Sequence, residues 1–325
     1  MKRHIIDLFA GPGGWSEGLH RLGHTDIGLE IDAAACATRA AAGHRTIRTD
    51  VATYPTTPLV GKVSGLIGSA PCQTFSSAGL GAGGDDIALC HQALDDLAAG
   101  RDTRAVLRTA CVDTRSLLAV EPLRYALDIR PDWVALEEVP SVEPLFGHMA
   151  RIFRGTGYST WVGILNAADH GIPQTRRRAF LLASTTRQVA PPEATHAKVP
   201  EPESLFGPGR AAWTTMADVL NLADGNVITR GEHTAGGNRF TTGGPAWALT
   251  GRARSWKLST KSDPERELST IEAGVLQDFP ADYPWTGSRT KRFEQIGNAI
   301  PPGLAAVVVR SVLEPAAYLR LAVAA

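Results

Sequence analysis

The chain has 325 residues, 43% of them hydrophobic and 20% charged, so a packed core is expected and disorder is excluded. Its 33 basic and 33 acidic residues cancel, so bulk charge points to no nucleic-acid partner and only local charge carries information. Four cysteines, Cys36, Cys72, Cys90 and Cys111, show no Cys-x-x-Cys spacing, which argues against a zinc site or a disulfide framework; no metal is expected. The N-terminus lacks a signal-peptide core and no apolar run approaches the ~18 residues of a membrane helix, so a cytoplasmic protein without a membrane partner is expected.

Residues 4 to 9 read as a short buried strand, followed by the turn Ala10-Gly-Pro-Gly-Gly14 and helical spacing from Trp15 to Leu22. Strand, glycine turn and helix open a nucleotide-binding α/β fold, although the spacing is not Gly-x-Gly-x-x-Gly. A second strand, Asp26 to Ile31, ends in Glu30 and Asp32, and a third, Thr46 to Arg48, leads to Asp50. Acids at neighbouring strand tips suit a nucleoside with hydroxyls and an exocyclic amine better than a diphosphate, which carboxylates repel.

Val63 to Ile67 is a fourth strand. It ends at Pro71, and Cys72 follows within Gly68-Ser-Ala-Pro-Cys-Gln-Thr-Phe-Ser-Ser-Ala-Gly79. A thiol at the C-terminal lip of a parallel strand sits where such folds place ligands, although a lone cysteine is as readily core filler. Ile87 to Ala99 reads as a helix, and Arg104 to Ile129 as a long amphipathic one broken near Glu121-Pro122. The strand Pro131 to Leu136 ends in Glu137-Glu138, where partial desolvation favours sharing a proton with a base nitrogen. Tyr158 to Leu165 and Ala179 to Ser184 are further strands, with Gln174-Thr-Arg-Arg-Arg178 before the second.

Ala190 to Pro208 is Pro-rich and aperiodic, and Trp213 to Leu222 reads as a short helix. From Asp224 to Thr250 the chain favours loops and short strands. From Arg230 to Lys261 six basic residues face the single acid Glu232, with Phe240 and Trp247 interleaved. Glu267 to Leu276 reads as a helix capped by Ser269 or Thr270 with Glu272 in its first turn. Gln295 to Pro302 reads as a turn and Leu304 to Leu313 as an apolar helix.

Together these stretches resemble the C5-cytosine-specific DNA methyltransferase family, over about three quarters of the chain and in the family's order. Asp7-Leu-Phe-Ala-Gly-Pro-Gly-Gly14 is similar to its cofactor loop, Pro71-Cys72-Gln73 to its nucleophile motif, Glu137-Glu138-Val139 to its Glu-Asn-Val motif and Gln174-Thr-Arg176-Arg-Arg178 to its Gln-x-Arg-x-Arg motif. Arg266 to Pro280 and Gln295 to Pro302 resemble the two late motifs. Two positions depart: Glu138 replaces Asn, and Asp278 stands where Gly is common. A glutamate at 138 must be solvated, protonated or paired.

The resemblance implies a doubly wound, Rossmann-like α/β methyltransferase domain with a smaller target-recognition domain. The expected division is 1–189 for the catalytic and cofactor-binding part, 190–262 for target recognition, and 263–325 as a return segment. It implies S-adenosylmethionine as methyl donor, leaving as S-adenosylhomocysteine. Phe9 would stack by the adenine, Glu30 would hold the ribose, Asp50 would accept from the adenine amine, and Asn298 and Ala299 would border the methionine end. Ala10, Gly11, Gly13, Gly14, Ile31, Val51 and Pro71 complete the expected cofactor set. Cys72 is the implied nucleophile on C6 of a flipped-out cytosine, Glu137 the partner of N3 and the amine, and Arg178 with Arg176 the contacts to O2 and flanking phosphates. Gln73, Ser76, Arg239, Arg252 and Arg254 are the expected contacts to double-stranded DNA. A monomer is expected, with a cognate restriction endonuclease as a separately acting partner. RNA as substrate, or a catalytically weak DNA-binding regulator of the same fold, are the alternatives. An oxidoreductase would give Cys72, Glu137 and Arg178 no shared task.

Overall fold

Short strands that are apolar at successive positions dictate a sheet covered on both faces, and the computed structural model shows one. It describes residues 3–71, 74–75, 83–204, 208–222, 225–230, 239–260 and 265–314. The strands of the large sheet are β1 (His4–Leu8), β2 (Asp26–Glu30), β3 (Arg45–Arg48), β4 (Val63–Ser69), β5 (Trp133–Glu138), β6 (Ser159–Asn166) and β7 (Arg177–Ser184). Their order is β3-β2-β1-β4-β5-β7-β6. Neighbours are parallel from β3 through β5, and β7 runs antiparallel between β5 and β6.

Successive strand residues point to opposite faces. Leu8, Leu66, Leu136 and Leu181 enter one core beneath α3 (Gly83–Ala98), α5 (Glu121–Ile129) and α6 (Glu143–Gly155). Ile5, Ile67, Ala135 and Phe180 enter the other, beneath α1 (Gly14–Arg21) and α10 (Pro302–Leu313). The expected doubly wound α/β architecture is therefore present. Burial on both faces explains why these strands read as continuous apolar runs.

Two expected elements differ and one helix was not expected. The span 104–129 is not one helix: α4 (Arg104–Ala110) stops, and Pro122 sits in the first turn of α5 rather than breaking a longer helix. The Asp86 carboxylate accepts from the N–H groups of Val112 and Asp113, removing donors that would continue α4. Helix α6 has no counterpart among the expected elements. Gln295 to Asn298, read as a turn, form the last turn of α9 (Arg289–Asn298). One tract, Arg289–Leu313, does meet the length and composition of a membrane helix, with a mean hydropathy of 1.4, contrary to expectation. It is two helices parted at 299–301, and 67% of its apolar window is buried in the protein.

A smaller, four-stranded sheet joins β8 (Val227–Thr229), β9 (Arg239–Thr241), β10 (Lys257–Ser259) and β11 (Arg266–Glu267), ordered β9-β8-β10-β11. Its core combines Met216, Ile228, Leu249 and Trp256 with Leu276 of α8 (Thr270–Leu276) and Phe293 and Ile296 of α9. Ser269 caps α8 and Glu272 reciprocates, the capping box read from the sequence. Asp278 adopts φ 68°, a left-handed value at which glycine is comfortable. Its carboxylate accepts from Gly303 N–H at the start of α10 and pairs with Arg21 at 2.8 Å, which offsets the backbone cost.

Beneath the glycine turn lies a buried ion cluster. Arg39 of α2 (Ala33–Ala41) is fully buried and reaches Asp26 at 3.0 Å and Asp7 at 3.6 Å, and it donates to Ser16 and Thr46. Burial, then the charge of Asp26, pushes the Asp7 carboxyl well above the usual carboxylate range. Arg39→Met strands Asp26 and Asp7 without a counter-charge, and is expected to lower unfolding free energy by about 3–5 kcal/mol in a denaturant titration.

Candidate active site

Strand ends build the site. Phe9 leaves β1 at φ 57°, a costly conformation for a bulky residue and one that clusters at functional sites. Gly13 adopts φ 111°, and a Cβ on Gly14 would lie 2.2 Å from the Ile300 carbonyl oxygen, so the turn packs directly on the stretch before α10. Among the described residues no side chain caps α1. Its first residues, Gly14 and Trp15, therefore offer free N–H groups at the wall of a cavity.

That cavity holds about 460 Å³, within the range of small-molecule sites. Phe9, Ala10, Gly11, Glu30, Ile31, Asp50 and Val51, beyond the tips of β1, β2 and β3, line one end, and Asn298 and Ala299 at the end of α9 also border the cavity. Pro71, Glu137, Arg176 and Arg178 line the other. Gly13 is not among the lining residues; a side chain there would meet Tyr283 and His44 behind the turn. Cys72, Gln73 and Ser76 lie outside the described residues.

Glu30 organises the first end. Its Oε2 accepts from Gly11 N–H at 2.8 Å, and its Oε1 accepts from Ile31 N–H at 2.8 Å and Asp32 N–H at 2.7 Å. A carboxylate has about four lone-pair sites, so one stays open toward the cavity. Asp50 holds Ala52 N–H through Oδ1. Ile31 is 62% exposed, an apolar side chain left bare at the cavity wall.

At the other end Glu137, buried at the end of β5, meets Arg178 of β7 with Oε1 to Nε at 3.1 Å. The antiparallel register sets Glu137 against Phe180, two residues beyond Arg178. Arg176 also lines the cavity, but its Nη1 donates to the carbonyls of Leu249 and Gly297, both at 3.1 Å. Gln174 does the same work: its amide donates to the Leu276 carbonyl and Gln277 and accepts from Leu249 N–H. Gln174 and Arg176 thus tie the large sheet, the smaller sheet's surroundings and the return segment at one junction, while Arg178 reaches the acid. Arg239, Arg252 and Arg254 are exposed, away from this cavity's lining.

A family model described as C-5 cytosine-specific DNA methylase matches residues 3–259 and 220–314. The chain belongs to the C-5 cytosine-specific DNA methylase family. It is accordingly classed as a DNA cytosine-5-methyltransferase. Similar family members include the Type II methyltransferase M1.HphI of Haemophilus parahaemolyticus, 27% identical over 97% of this chain and 87% of that one. The Type II methyltransferase M.NgoMIV of Neisseria gonorrhoeae is 27% identical over 97% and 98%. Among solved structures, the S. pombe Dnmt2 methyltransferase superposes with a TM-score of 0.64 at 13% identity, covering 97% of this chain and 99% of that one, which shows the shared fold.

Against the family pattern, Glu138 is the informative departure. It is 2% exposed; Oε2 accepts from Val139 N–H at 2.5 Å and Oε1 has no hydrogen-bond partner among the described residues. Burial, with Glu137 alongside, pushes its carboxyl up to about 8. Arg178 is engaged by Glu137, so among the described residues Glu138 has no cation of its own, and its raised carboxyl favours the protonated state. One turn further, Ser141 Oγ donates to the Phe75 carbonyl at 2.8 Å, tying the segment after the cysteine to this strand end. Lys291 and Gln295 of α9, and Arg108 and Arg115 near α4, also line the cavity and were not among the expected site residues. Ser288, which caps α9 through Lys291 N–H, was the readable signal for that helix.

Proposed function

We propose that this enzyme methylates C5 of a cytosine flipped out of double-stranded DNA, using S-adenosylmethionine and a transient bond from Cys72 to C6. The observation that carries the reading is the single cavity whose two ends hold different chemistry. The first end fits the cofactor. Phe9 and Ile31 offer apolar faces for a flat base, Glu30 has a lone-pair site left for a hydroxyl, and Asp50 is placed to accept from an amine. The adjacent Asn298 and Ala299 would border the methionine end. When bound, S-adenosylmethionine supplies a methyl group on a sulfonium, which leaves as a neutral thioether.

The chain's own residues would do the rest. The Cys72 thiolate would add to C6 and push electron density onto C5, since only a thiolate attacks. Glu137 would hydrogen-bond N3 and the exocyclic amine as charge develops, and Arg178 would hold O2 while keeping Glu137 in place. Loss of the C5 proton to water and departure of the thiolate then restore the ring. Arg176 would position Arg178 by holding the junction. Gln73, Ser76, Arg239, Arg252 and Arg254 would contact DNA, residues 190–262 serving target recognition and 263–325 completing the catalytic part. The likeness to Type II methyltransferases supports a role beside a cognate restriction endonuclease. Incubation with duplex DNA and methyl-labelled S-adenosylmethionine is expected to place label on cytosine C5 within one sequence context; label on RNA alone, or on none, contradicts the proposal.

A further inference from the structure

A ladder of rings runs outward from the smaller core and ends in a guanidinium. Trp256 is buried in that core. Phe240 of β9 meets it edge-on, with ring centroids 5.6 Å apart and planes at 82°. Trp247 lies flat on Phe240 at 5.3 Å and 6°. The Arg230 guanidinium carbon lies 3.7 Å over the Trp247 ring. Each layer fixes the next, so the outermost plane is set by the core.

The ladder stands beside the catalytic strand. Trp247 pairs in register with Thr175, and Thr175 Oγ1 donates to the Ala246 carbonyl at 3.1 Å. The next residue, Arg176, lines the cavity. Trp247 is 38% exposed, so the outer end of the ladder is open.

Arg230 differs from Lys257 and Arg254 of this region. Lys257 pairs with Glu265 at 3.1 Å, and Arg254 donates to the Gly251 carbonyl. The buried Nε of Arg230 has no hydrogen-bond partner among the described residues. Burial shifts its pKa downward, and no carboxylate among the described residues is set against it. A cation on a ring face is held without using its N–H donors. The planar fork of an arginine matches the O6 and N7 acceptors of guanine, a contact that demands a fixed plane, whereas a phosphate accepts from many directions.

We propose that Arg230, laid flat on Trp247, reads the major-groove edge of a guanine in the recognised sequence. The inference rests on the DNA-methylation reading above. The test uses the full chain and a randomised duplex pool, sequencing bound duplexes and mapping C5 methylation in the same pool, for wild type, Arg230→Ala and Arg230→Lys. Wild type is expected to enrich a sequence containing a guanine whose preference both variants lose, by on the order of 10- to 100-fold. Arg230→Lys keeps the charge without the fork, so its loss of the same preference separates base reading from attraction to phosphate, and unchanged thermal melting shows that it folds. Even weakening across all sequences with a shallower salt dependence, an unchanged preference, or no sequence enriched by wild type overturns the assignment. A wild type that enriches the guanine-containing site but leaves it unmethylated overturns the methylation reading while the Arg230 assignment stands.

Discussion

Glu137→Gln is expected to lower the rate of methyl transfer in a single-turnover assay by about 10²–10³-fold, with DNA affinity nearly unchanged. Glutamine has the same shape, so the buried site at the end of β5 stays filled. What it removes is a carboxyl that can carry a proton to cytosine N3 and take it back, and whose oxygen faces the Arg178 guanidinium at 3.1 Å. Both act as charge develops on the ring, so the loss belongs to the rate rather than to binding. A variant within threefold of wild type would remove Glu137 from the chemistry. Replacing Arg178 instead would leave Glu137 buried without its cation, so that variant is compared only after its stability is measured.

Glu138→Gln is expected to act through pH. The folded carboxyl titrates near 8 against an ordinary value near 4.5, raised by burial and by Glu137. Between those values the folded state keeps a proton that the unfolded state releases, so stability falls as pH rises, by about 1.4 kcal/mol per pH unit. Stability from this group is full below about 4.5 and is gone above about 8. Glutamine stays neutral throughout and can donate as a protonated acid does. The stability of Glu138→Gln relative to wild type should therefore climb from pH 5 to pH 8 and level off above it. Methylation by wild type should fall above pH 8, while the variant's should not fall for this reason, because an ionised Glu138 would stand buried beside Glu137 with Arg178 already engaged. Parallel pH profiles of melting temperature and rate check this, and coincident profiles for the two proteins would place the Glu138 proton elsewhere.

Much of the fold was legible because its strands are buried on both faces. Trp133 to Leu136 carries no polar interruption and Val63 to Ile67 only Ser64, and the strands they belong to run on to Glu137 and Ser69, which line the cavity. Ser269 and Glu272 announced α8 because a capping box is a local signal. Where the cause was long-range, the reading failed. The periodicity of 104–129 says nothing of Asp86, which reaches from α3 to take two N–H groups. Helix α6 contains Pro144 and Gly147, and α9 ends in Gly297 and Asn298 before two prolines, so punctuation hid both helices. The Arg39 cluster joins β1, α1, β2 and α2, and the different geometries of Arg176 and Arg178 arise from contacts to residues 249 and 297. No spacing within Gln-Thr-Arg-Arg-Arg distinguishes the arginine that holds a junction from the one that faces an acid.

The covalent step is tested most directly with duplex DNA carrying 5-fluorocytosine at the methylated position. Fluorine replaces the proton whose loss lets the thiolate leave. With S-adenosylmethionine present, the account predicts a stable protein–DNA complex, attached through Cys72 and absent in Cys72→Ser. No complex, or attachment at another residue, from protein that methylates ordinary duplex would contradict it.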